Sequence, residues 1–235
     1  VGQRVGTRRN DMDENIPATK GILLETAGEL FANAGLEGVS IRKIAQKAGA
    51  NIAAIHYHFG SKDNLYLEVV RHVMHRIRCT LAGQYLADRA AWQDNPLSRA
   101  KVICALVEER MVQFFPDPHP GWYGRLFMRM LLNPTPALGK LAEEIILPDF
   151  EQLTEVFRLC KPGMSLSEAR CWTDTLLGQL GHYVFSAQFV QYMPNQNRQD
   201  ADFQNMISRH LSRLLLKGLD LPLPDFLKDD TLHAK

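Results

Sequence analysis

The chain has 235 residues, 46% of them hydrophobic, and its 27 Lys+Arg against 26 Asp+Glu leave a formal net charge of +1. That near-neutrality excludes a histone-like or polybasic protein but permits a local basic face offset by acid elsewhere. No apolar run approaches the roughly 18–20 residues of a membrane span, and Cys79, Cys104, Cys160 and Cys171 form no CxxC pair, so the expectation is a cytoplasmic protein with reduced, mostly packed thiols.

Residues 1–15, VGQRVGTRRNDMDEN, carry Arg4, Arg8 and Arg9 with no apolar stretch after them, which is not a signal peptide. They read as a flexible N-terminal tail or as an arm that touches DNA. From residue 19 the periodicity is helical and no convincing strand alternation occurs, so the expected fold is all-α. Leu23, Ala27, Leu30, Phe31 and Ala34 share one face of a helix over 19–34, which Gly35 ends. Ser40 caps a second, short helix with Ile41, Ile44, Ala45 and Ala48 at the same spacing, broken by Gly49. Asn51 caps a third, with Ile55 and Phe59 one turn apart facing inward; Gly60 stops it and Ser61 starts a fourth. Short helices joined by a tight Gly-containing turn make a helix-turn-helix, here assigned to a three-helix domain over 16–62.

The rest reads as a larger helical domain over 63–220 and a C-terminal tail over 221–235. Asn95-Pro96 is a cap and a first-turn proline opening a helix that reaches Phe115, and PDPHPG at 116–121 is a loop. A short helix over 122–132 precedes the break NPTP. Residues 137–160 read as a helix kinked at Pro148, which removes one backbone donor. After KPGMS come helices over 166–192 and 200–217, closed by Gly218 and LPLPD.

NIAAIHYHFGSK, residues 51–62, crowds His56, Tyr57 and His58 together. On a helix, residues i and i+2 point far apart, so His56 and His58 cannot chelate one ion. His72 and His75 could share a face, but no Cys, Asp or third His lies at ligand spacing, so no metal is assigned. No HExxH, GxSxG, P-loop or GxGxxG occurs, so no cofactor is expected and an enzyme built on His72/His75 stays a rival reading.

The stretch from Thr19 to Leu65, with AGELFANAG, SIRKIAQKAG and IHYHFGSKDNL in order, resembles the DNA-binding domain of the TetR family of bacterial transcriptional regulators. The resemblance implies a homodimer that places two copies of the third helix in successive major grooves of a palindromic double-stranded operator. It implies that Ser40 and Arg42 open the second helix beside DNA, and that Ile52, Ala53 and Ala54 form the tip of the recognition helix. His56 stands where the family commonly has Tyr, Tyr57 is placed to reach phosphate, and Lys62 to meet the DNA backbone as a point charge. Alanine cannot hydrogen-bond to a base, so Ala53 and Ala54 either pack against thymine methyl groups or serve only as helix formers. Direct specificity then leans on Arg42 and His56, with DNA shape contributing the rest. His58 is expected in the core.

In TetR-like proteins the second domain dimerises through its last two helices and encloses an effector pocket. Phe203, Met206, Ile207, His210, Leu211 and Leu214 form a nearly heptad stripe suited to such a seam, and Gly178, Gly181, Ser186 and Ala187 would let backbones approach. The alternative is that the stripe covers its own core. HPGWYGRLFMRMLLNPTPAL, 119–138, further resembles the CecR-like subgroup, which usually has Arg-Glu where this chain has Arg129-Met130. Phe114, Phe115, Trp122, Phe127, Met128, Trp172 and Tyr183 are candidates for the pocket wall, with Arg129 and Gln179 as polar handles for an anionic or carbonyl-bearing effector. The expected function is a repressor released from its operator by a small molecule; a DNA-binding protein without small-molecule input is the alternative.

Overall fold

The structure is a computed structural model in which residues 18–77, 80–114, 121–133, 136–185 and 201–228 are described. The expected tail at 1–15, Cys79, Phe115, His119 and its loop, Ser186 and Ala187 lie outside them. The described elements are helical: α1 Ala18–Ala34, α2 Ile41–Ala48, α3 Ile52–Phe59, α4 Lys62–Ile77, α5 Leu81–Ala87, α6 Pro96–Phe114, α7 Trp122–Leu132, α8 Pro136–Leu141, α9 Leu147–Cys160, α10 Leu166–Phe185, α11 Ala201–Gly218 and α12 Asp225–Lys228. A 3-10 turn at Arg89–Ala91 and a π segment at Ala142–Ile146 complete the set. The chain divides into two compact units, Val1–His72 and Val73–Lys235, and the dividing point falls inside α4.

In the first unit, α1 to α3 and the start of α4 close around Leu23, Phe31, Ile44, Ile55 and Leu65, all fully buried. Burying side chains of this size contributes about 1.5–3 kcal/mol each. Phe31 meets Tyr66 edge-on at 5.2 Å, joining α1 to α4. Local chemistry sets the helix ends: the Ser40 hydroxyl accepts from Lys43 N–H at 3.2 Å, and Asn51 Oδ1 accepts from Ala53 N–H at 2.9 Å. Between α2 and α3 the chain turns at Gly49, whose φ of 63° and ψ of 28° a residue without Cβ adopts freely.

In the second unit, α6 packs against α5, α9, α10 and α11. Ile103, Leu106, Val107, Leu153, Val156, Phe157, Leu176, Leu180 and Leu215 make its core. Asn95 Oδ1 caps α6 through the N–H groups of Leu97 and Ser98, at 2.9 and 3.1 Å. The Glu109 carboxylate performs the same service for α5 from a distance in sequence, accepting from Thr80 N–H at 2.8 Å and Leu81 N–H at 3.1 Å. Burial pushes the Cys104 thiol up to about 11 and the Cys160 thiol up to about 12, so both stay protonated in the core. Cys171, by contrast, is exposed.

The interruption expected at Pro148 takes the form of the π segment. Pro148 lacks the N–H that would bond the Glu144 carbonyl, and one turn is widened so that Leu147 N–H donates to the Ala142 carbonyl five residues back. The start of the expected C-terminal tail folds back: Leu221 and Leu227 are buried, Arg209 donates to the Phe226 carbonyl at 2.7 Å, and Arg213 Nε to the Leu227 carbonyl at 3.0 Å.

Candidate nucleic-acid interface

The α3 register sorts its residues cleanly. Ile55 and Phe59 point into the core, while Ile52, Ala53, His56 and Tyr57 lie on the exposed face with Gly60. Tyr57 is 85% exposed and Ile52 40%, large apolar surface for an eight-residue helix to leave in water. Ala54 is half-buried at the flank. His58, expected in the core, is half-buried too, meeting the Tyr57 ring edge-on at 5.0 Å and the Phe59 ring at 6.0 Å.

His56 is held more firmly than its exposure suggests. Its Nδ1 donates to the Gly60 carbonyl at 2.9 Å, and the Gly60 N–H donates to the His56 carbonyl at 2.9 Å. Sequence reading placed His56 by position but missed this bond, whose only signal is the i, i+4 spacing from histidine to the terminating glycine.

Ser40, the cap of α2, and Arg42, Lys43, Gln46 and Lys47 on the helix are exposed. Lys47 pairs with Glu29 at 2.8 Å. The Arg42 and Lys43 side chains form no hydrogen bond or ion pair among the described residues, so their charge is available on the surface. Ser40 Oγ is occupied as a helix cap. Lys62 also makes a bond that the sequence did not announce: its ammonium, half-buried, donates to the Leu36 carbonyl at 3.0 Å and ties the start of α4 to the α1–α2 turn. Two of its three N–H donors remain. His72 Nε2 lies 3.2 Å from Glu25 Oε1, linking α4 to α1, and no group of three metal-ligating side chains occurs among the described residues.

The residues expected at an effector pocket do not form one group. The Phe114 side chain and Phe115 lie outside the described residues. Trp122 is buried against Tyr123 with ring centroids 4.4 Å apart, and Phe127, Met128 and Arg129 are half-buried on the same helix. Met130, where a glutamate is usual in the CecR-like subgroup, is 5% exposed and fills space as a thioether. Trp172 packs its ring against Gly218, where a Cβ would come within 2.1 Å of it. Tyr183 sits edge-on to Phe203 at 6.3 Å, and both border the main core. Gln179 is a correction: it is exposed, because α10 turns Leu176 and Leu180 inward and Gly178 and Gln179 outward.

The α11 stripe splits likewise. Ile207 and Leu211 belong to the core of their own chain, so they are not seam residues, and Gly181 is buried. Met206 at 40% exposure, Leu214 at 47% and His210 face outward, and the space above Gly178 is open. The sequence reading missed a buried ion pair: Arg110, 3% exposed, donates to both carboxylate oxygens of Asp149 at 2.8 and 2.9 Å. No helix among the described residues is long and apolar enough to cross a membrane.

Residues 23–69 match the model for bacterial regulatory proteins of the tetR family, and residues 101–219 match the C-terminal domain of the HTH-type transcriptional dual regulator CecR. The CecR dual regulator of Shigella flexneri is 27% identical over 209 residues, 84% of this chain and 91% of that protein. The transcriptional repressor AcnR of Corynebacterium glutamicum is 41% identical over 49 residues, 21% of this chain and 26% of that one. Among solved structures, the TetR-family regulator PfmR of Thermus thermophilus superposes with a TM-score of 0.60 at 17% identity, covering 87% of this chain and 98% of that chain. A transcriptional regulator from Rhodococcus sp. Rha1 gives 0.59 at 18% identity, covering 87% and 99%. These two likenesses are of fold.

Proposed function

The chain belongs to the TetR family of bacterial regulatory proteins, with a C-terminal domain of the CecR type, and from that premise we propose that this DNA-binding regulator is a cytoplasmic homodimeric repressor released from its operator by a small molecule. The observation that carries the DNA half is the exposed α3 face of Ile52, Ala53, His56 and Tyr57 beside the exposed cations Arg42 and Lys43. Cations draw the protein onto phosphate and α3 meets base edges. Dimerisation rests on the outward set Met206, His210 and Leu214 of α11 with Gly178 of α10. The name repressor belongs to relatives such as AcnR and NicS, and CecR is a dual regulator; the repressor reading of this chain follows the former.

Release is a population shift. An effector that prefers the arrangement unable to span two grooves moves the protein off DNA, and a switch from 1:99 to 99:1 takes about 10⁴-fold preference for one arrangement. The pocket is assigned to the second unit, with half-buried Arg129 of α7 as the polar handle. The test is selection of binding sites from a genomic DNA pool by the purified chain. Enriched inverted half-sites roughly 10 base pairs apart, or a multiple, support the proposal; a pool with nothing enriched overturns it.

A further inference from the structure

We infer that His56 reads the amino group of an adenine or a cytosine in the major groove, through Nε2 acting as a hydrogen-bond acceptor. The inference rests on the proposed placing of α3 in DNA and names what one of its residues recognises there. Its starting point is the bond from His56 Nδ1 to the Gly60 carbonyl at 2.9 Å. A carbonyl oxygen only accepts, so Nδ1 carries the proton, and in the neutral imidazole the other nitrogen, Nε2, is left with a lone pair and no hydrogen. The ring is exposed, and Nε2 makes no hydrogen bond among the described residues.

The orientation is fixed as well as the tautomer. Gly60 returns a bond from its N–H to the His56 carbonyl at 2.9 Å, and it takes a φ of 75° and a ψ of −57° that only glycine adopts without strain. In its neutral form His56 therefore presents one defined acceptor one turn after Ile52 and Ala53, on the face that also carries Tyr57.

Duplex DNA offers such an acceptor few partners. Phosphate oxygens, guanine N7 and O6, adenine N7 and thymine O4 all accept, so none can bond a bare lone pair. The only major-groove donors are adenine N6–H and cytosine N4–H. At one position of one strand, A and C thus carry the donor while G and T carry a keto oxygen that repels Nε2. His56 separates amino bases from keto bases, a two-letter distinction that the alanines beside it cannot make. It does not serve as a phosphate contact in this tautomer.

The test begins with site selection from a random duplex pool by the full chain, in parallel with His56→Arg and His56→Ala, each checked for native helicity by circular dichroism. The expected wild-type result is one half-site position held to A or C, about tenfold over G or T, the worth of a single hydrogen bond. His56→Arg, a donor, should move that position to G, and His56→Ala should level it. A second arm needs no variant: replacing the adenine there by purine, or the cytosine by pyrimidin-2-one, deletes the amino group and should cost the wild type about tenfold. If no sequence is enriched at all, the DNA-reading assignment of α3 fails. If a site is enriched but that position holds a keto base, is unchanged in both variants, or tolerates loss of the amino group, the His56 inference fails while DNA binding stands.

Discussion

His56 and Gly60 are bonded to each other in both directions: ring to carbonyl, and N–H to carbonyl, each at 2.9 Å. The end of α3 and the aim of its histidine are thereby one structural unit. Gly60→Ala should break both at once. Its φ of 75° and ψ of −57° lie where a Cβ is strained, at a cost of about 1–3 kcal/mol. The expected outcome is a lower urea midpoint together with lost discrimination among operator variants. Unchanged stability would show that the α3–α4 turn relaxes easily and that Gly60 is not a constraint.

Lys62→Ala addresses a residue with two claims on it. Its bond to the Leu36 carbonyl predicts a stability loss in DNA-free protein of about 1 kcal/mol. If its remaining donors also meet phosphate, affinity should fall alike for all sequences and the salt slope should flatten by about one unit. Chemical unfolding and salt-dependent binding separate the roles. Lost stability with an unaltered slope would make Lys62 a clasp for the α1–α2 turn.

What could be read from the sequence was local. Ser40, Asn51, Gly49 and Gly60 act within a few residues of themselves, and each stands at the helix end expected of it. The interruption near Pro148 was legible too, but its form was not, because the missing donor can be absorbed by a bend or by a widened turn. The α11 stripe from Phe203 to Leu214 fits an inward and an outward face nearly equally, since neighbours on a helix are only about 100° apart. Only packing assigned Leu211 to the core and Leu214 to the surface. Lys62–Leu36 and Arg110–Asp149 join residues 26 and 39 positions apart, beyond the reach of any local pattern.

That division of α11 gives a paired prediction. Leu214→Glu alters a side chain 47% exposed and should leave a folded protein that sediments as a monomer at micromolar concentration and no longer holds paired half-sites. Leu211→Ala alters one 1% exposed and should lose about 2–5 kcal/mol of stability. Should Leu214→Glu remain dimeric, the outward face of α11 is not the seam. Unfolding of both variants alike would mean that the two residues are not separated as their burial says.

The Arg110–Asp149 pair makes the sharpest statement about the second unit, because both charges sit where water is scarce. Arg110 is 3% exposed and Asp149 15%, and Asp149 directly follows Pro148 in the first turn of α9, beyond the π segment. Asp149→Ala takes two charge-assisted hydrogen bonds from the buried Arg110 guanidinium and removes an anion from a helix start, so it should cost about 3–5 kcal/mol. Arg110→Met with Asp149→Leu removes both charges and should recover most of that loss. A double-mutant cycle by chemical unfolding measures the coupling directly. Large recovery means the pair was tolerated for its geometry, holding α6 to α9 at the widened turn, and not for net stability. A double variant as unstable as Asp149→Ala would instead mean that no apolar pair fits the site, and that side-chain shape, not charge, keeps the two helices together.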